Sequence, residues 1–110
     1  MATVFKNVLT TELGTTPTTV LSTNPTATTT VIGMSLTNTT AGTIQISVQI
    51  TDNVVESTAY FVRNIIVPSN NSVRLINGGE RLVLGPDTEL ILTSNTEASV
   101  DAVISYVEIS

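Results

Sequence analysis

The chain has 110 residues, no cysteine and no histidine, and a formal net charge of −5 from 4 basic and 9 acidic residues. That length suits one domain, residues 1–110, with a single buried core. The missing residue types exclude a disulfide framework, thiolate metal sites and Ser-His-Asp or Cys-His nucleophiles, and four scattered cations argue against nucleic acid or a polybasic membrane contact.

Charged residues make up only 12% of the chain, about half the usual share. Threonine is abundant, hydrophobic residues reach 41%, and tryptophan is absent. A core built from Val, Ile and Leu, with Thr between them, favours strands, because β-branched side chains lose χ1 freedom in helices and pack well on a pleated sheet. The opening residues lack a basic stretch followed by an apolar run, and no apolar segment is long enough for a membrane helix.

In chain order, the first expected strands are Thr3 to Thr11 and Thr18 to Ser22, punctuated by Pro17 and Asn24-Pro25. The Thr-rich stretch Thr15 to Thr30 could pass for a mucin-like linker. Val20 and Leu21, with only two prolines nearby, favour strand and loop instead. Thr28 to Thr37 places Ile32, Met34 and Leu36 inward and Gly33 and Ser35 outward. Thr43 to Thr51 alternates cleanly, with Ile44, Ile46, Val48 and Ile50 on one face. Asn38-Thr-Thr-Ala-Gly42 supplies turn chemistry between these two, which predicts a hairpin.

Thr58 to Val67 carries apolar residues on both faces: Tyr60, Val62 and Ile66 with Asn64, and Phe61, Ile65 and Val67 with Arg63. It is therefore either a central strand covered twice or part of a contact surface. Val73 to Ile76, Arg81 to Leu84 and Glu89 to Thr93 follow, separated by turns at Asn77-Gly-Gly-Glu80 and Gly85-Pro-Asp-Thr88. Ser99 to Ile109 is the last strand, with Val100, Ala102, Ile104 and Tyr106 on one face. Its other face, Asp101, Val103, Ser105, Val107 and Ile109, turns apolar towards the end. Eight to nine strands at this spacing, without a substantial helix, predict an all-β antiparallel sandwich of jelly-roll-like kind.

Little chemistry survives inspection. Asp87 with Glu89 and Asp52 with Glu56 could form carboxylate pairs, yet both sit at turns, where Asp favours local backbone bonds. Asp52, Asn53 and Glu56 could offer hard oxygens to calcium but match no loop signature. The sequons at Asn38 and Asn70 are expected by chance in so Asn- and Thr-rich a chain. No catalytic residue, cofactor or metal ligand is assigned, and the expectation is that the protein is not an enzyme. A charge-poor exterior fits a protein packed against neighbours. The candidate contact residues are Val4, Phe5, Val8, Phe61, Val107 and Ile109. The plainer reading is that these cover the ends of the core.

Several motifs then carry a likeness. The opening Met1-Ala-Thr-Val-Phe-Lys-Asn-Val8 and the ending Ser105-Tyr-Val-Glu-Ile-Ser110 resemble those of small virion proteins of tailed phages, particularly cyanophages. Ile32 to Gly42, Val67-Pro-Ser-Asn-Asn-Ser72 and Gly79-Glu-Arg-Leu-Val-Leu84 followed by Gly85-Pro-Asp87 are similar in style. The resemblance implies a structural protein of the virion, foremost a capsid decoration (cement) protein made in the host cytoplasm. Such a protein would sit on the capsid exterior, bind the major capsid protein or other virion proteins, and form a homo-oligomer such as a trimer. A small tail, neck or fibre domain is the nearest alternative. A receptor- or carbohydrate-binding module is another, weakened by having only Phe5, Tyr60, Phe61 and Tyr106 as aromatic side chains.

Overall fold

The computed structural model describes residues 3–76 and 81–109, so the turn expected at Asn77–Glu80 lies outside the described residues. Nine strands are present: β1 (Thr3–Leu13), β2 (Thr18–Ser22), β3 (Thr28–Asn38), β4 (Ile44–Asp52), β5 (Ser57–Val67), β6 (Ser72–Ile76), β7 (Leu82–Leu84), β8 (Thr88–Ser94) and β9 (Val100–Ile109). No helix occurs among the described residues. The strands form two antiparallel sheets, and the fold is a β-sandwich. Sheet A runs β1-β9-β3-β6, with β7 also paired to β3, and sheet B runs β2-β8-β4-β5.

The alternation read from the sequence decides the core. Leu90 and Leu92 of β8, Ile44, Ile46 and Val48 of β4, and Val100, Ala102 and Ile104 of β9 are all buried in one cluster. Val20 and Leu21 join it, which settles the Thr-rich stretch as strand and loop. Fully burying one such side chain is worth about 1.5–3 kcal/mol, so this cluster dominates the favourable side of folding.

The hairpin expected between β3 and β4 does not form. β3 lies in sheet A beside β9, whereas β4 lies in sheet B beside β5 and β8. Turn residues mark only that the chain changes direction. Here the connection passes from one sheet to the other, and Asn38 organises it. Its side chain is fully buried. Its amide donates to the carbonyls of Gly42 (2.8 Å), Val67 and Pro68 (both 3.1 Å), while its carbonyl oxygen accepts from Thr40 N (2.9 Å) and Thr40 Oγ1 (2.7 Å). The Asn38 sequon is thus committed to the fold and closed to modification.

Bulges break strict alternation in several strands, and those in β3 and β5 matter most for the surface. In β3 the pairing with β9 slips between Val31 and Gly33. Val31 and Met34 are therefore both buried, and Ile32, expected inward, is not in the core. In β5 the register slips twice, between the pairs Ile46–Ile65 and Val48–Val62, and again before Gln49–Tyr60. Asn64 takes a φ of 52° at the first slip, and the Ser47 hydroxyl accepts its N–H at 3.0 Å. Val62 and Ile65 both turn inward as a result, so Val62 does not share a face with Tyr60. β5 is an edge strand, not a central one. Each bulge inserts one unpaired residue and reverses the inward phase beyond it.

A candidate assembly surface

The surface follows from register, because residues directly opposite in paired strands point to the same side of a sheet. Phe5 pairs with Val107, Leu9 with Val103 and Thr3 with Ile109. Val107 pairs with Thr30, which pairs with Val83. These side chains stand on the outer face of sheet A, since their neighbours Ile104, Val31 and Leu84 are the buried ones. Phe5 is 75% exposed, Leu9 66%, Val83 65%, Val103 43% and Ile109 36%. Between them stand Thr3, Asn7, Ser105, Thr28, Thr30 and Ser35, all uncharged. Arg74, opposite Ser35, and Asp101, opposite Thr37, mark the rim.

The outer face of sheet B is different. It carries Gln45, Ser47, Gln49, Thr51, Glu89, a partly buried Ile91 and Thr93, and its exposed large apolar side chains, Tyr60 and Ile66, lie on the β5 edge. The Arg63 guanidinium sits over the Tyr60 ring, 5.1 Å from its centre, which covers part of that edge with charge. The β4–β5 turn adds exposed Val54 and Val55.

The six residues singled out from sequence therefore separate. Phe5, Val107 and Ile109 come together on sheet A's outer face. Val4 pairs with Glu108 on the opposite face of β1 and is 42% exposed. Val8 and Phe61 are partly buried and pack against the core cluster, Phe61 from sheet B. Leu9, Val83 and Val103 belong to the surface but were not singled out. The signal for Leu9 lay in its spacing from Phe5 and Asn7 along one strand. Val83 carried no such signal, because its face depends on β7 joining β3, a pairing between distant residues.

Two of the acidic groups considered for chemistry, Asp52 and Glu89, hold parts of the fold together. Asp52 Oδ1 accepts the N–H of Val54 at 2.9 Å, and Glu89 accepts from Thr19 Oγ1 (3.2 Å) and from Asn53 Nδ2 (3.0 Å). Among the described residues, no three His, Cys, Asp or Glu side chains group together as a metal would require.

No family model matches the sequence, and no curated protein matches it. Solved structures do share the fold. A chain of the T13 infectious bursal disease virus particle superposes with a TM-score of 0.59 at 10% identity, over 97% of this chain and 31% of that one. This protein thus spans about a third of that capsid chain. A chain of the Bacillus endospore appendages, described as disulfide-linked pili, gives a TM-score of 0.60 at 14% identity, covering 98% and 88% of the two chains. PirA gives 0.54 at 18% identity, covering 94% and 92%. At these identities the likeness is one of fold alone.

Proposed function

We propose that this protein is a non-enzymatic structural subunit of a virus particle, foremost a capsid decoration protein that binds the outer capsid surface and stabilises it. The observation that carries the reading is the outer face of sheet A, where exposed apolar side chains stand among uncharged ones. Monomers rarely leave an extended apolar patch uncovered. The strand order supports it. The first strand lies beside the last in sheet A, and most successive strands change sheets, β4–β5 and β6–β7 excepted, an order similar to that of the jelly rolls many viral capsid domains use.

A second reading has its own support. The endospore-appendage chain is matched over 88% of its length, which favours a subunit that builds a filament, such as a tail or fibre component. With no cysteine, this chain would hold such a filament together without disulfides.

Adding purified protein to capsids stripped of it tests the primary reading. Binding that saturates at a fixed stoichiometry and raises the temperature at which the capsids come apart is the expected result. Protein that ignores capsids but adheres to cells or glycans would shift the assignment to a receptor-binding module.

A further inference from the structure

We propose that the outer face of sheet A docks onto the same face of a second copy of this chain, with Phe5 of each copy seated in a hollow over Gly33 of the other. This rests on the reading of the protein as a structural subunit and names a second copy, rather than the capsid, as what covers this face.

The face carries both a knob and a hole. Phe5 is the most exposed of the large apolar side chains described, at 75%, and stands at the edge strand. A short way across the sheet, Gly33 leaves a gap in the side-chain layer. A Cβ built there would meet nothing nearer than Ser105 Cβ at 3.9 Å. The gap opens into a hollow of about 390 Å³ lined by Ile32, Ser35, Val103 and Ser105, with Ile76 and Arg74 at its far side. Its volume exceeds the roughly 150 Å³ of an enclosed cavity that accepts benzene, and the hollow is open towards the surface from which a partner's ring would enter. The β3 bulge that turns Ile32 out of the core supplies one wall of this hollow.

Area and charge favour a copy of the same chain. The exposed fractions of Phe5, Leu9, Val83, Val103 and Ile109 amount to roughly 400–500 Å² of apolar surface. A stable interface buries about 800 Å² per partner, about 65% of it apolar in homodimers, so the patch nearly meets that need. Two copies each carrying −5 repel. They approach at least cost through a face whose centre is uncharged, with acidic and basic groups left at the rim. Because knob and hollow lie on one face, reciprocal insertion closes on a two-fold axis. The trimer implied by the phage resemblance would need them on different faces.

The cysteine-free sequence makes the test clean. Sedimentation equilibrium of the full chain should show the mass doubling from 11.6 kDa with rising concentration. Phe5→Asp, and separately Ser105→Arg in the hollow, should each weaken the dimer at least tenfold while the far-UV circular dichroism and melting temperature stay unchanged. Mixed Phe5→Cys and Ser105→Cys chains should cross-link to each other on mild oxidation, faster than either cross-links to itself. A monomer at all concentrations, a trimer, or a dimer indifferent to both substitutions overturns the proposal. So does a monomer whose Phe5→Asp variant loses capsid binding, which would give the face to the capsid. A dimer that ignores capsids leaves this inference standing and removes the decoration reading.

Discussion

At the residue scale, a few polar side chains do work that the apolar core cannot. Asn38 satisfies three carbonyls and two donors at the point where the chain changes sheets. Leaving buried polar groups unpaired costs about 1–3 kcal/mol each. Asn38→Ala should therefore lower the unfolding free energy by about 3 kcal/mol, read as a loss of denaturation midpoint in urea. Thr29 is the opposite case. It is 1% exposed and its hydroxyl has no hydrogen-bond partner among the described residues. Thr29→Val keeps the shape and removes the unsatisfied group, so it should raise stability by about 1 kcal/mol; a lower melting temperature would show that the hydroxyl is satisfied in solution. Neither role was legible in the sequence. Asn38 looks like any turn asparagine, and its partners Val67 and Pro68 are far along the chain.

At the element scale, strand positions were readable and strand partners were not. The alternation of Ile44, Ile46 and Val48 fixed β4 and its inward face before any pairing was known. Pairing depends on contacts between distant residues, so the local turn at Asn38–Gly42 pointed to a hairpin the fold does not contain. Bulges were equally hidden, since a one-residue slip leaves no compositional trace. The doubled slip in β5 has a consequence for the edge. A bulged strand twists away and resists pairing with another chain. Ser47 latches that bulge, accepting the Asn64 N–H and donating to Asn64 Oδ1 at 3.3 Å. Ser47→Ala should cost about 1 kcal/mol and increase light scattering on storage, as the β5 edge straightens. β1 presents the contrast: from Thr3 to Thr10 its register with β9 is uninterrupted. Its free edge borders the apolar face, and the candidate residues Phe5 and Leu9 belong to it.

At the scale of the whole molecule, the sandwich separates two surfaces of different character. Sheet B's outer face is mainly Thr, Ser, Gln and Glu89 around a partly buried Ile91, with its exposed apolar side chains, Tyr60 and Ile66, confined to the β5 edge. Sheet A's outer face is apolar and charge-free at its centre. The sequence disclosed the low charge and the apolar turn of β9 near Val107 and Ile109. It did not disclose that Phe5, Leu9, Val83 and Val103 join them, because that surface is assembled from four strands far apart in the chain. The asymmetry is the basis for placing the protein in an assembly, and it is open to direct measurement. Hydroxyl-radical labelling, resolved by residue, compares the chain at monomeric dilution with its assembled form. Labelling of Phe5, Leu9 and Val103 should fall several-fold on assembly, with Tyr60 and Ile66 unchanged. If Tyr60 and Ile66 are protected instead and Phe5, Leu9 and Val103 stay fully labelled, sheet A is not the face through which this protein meets its neighbours.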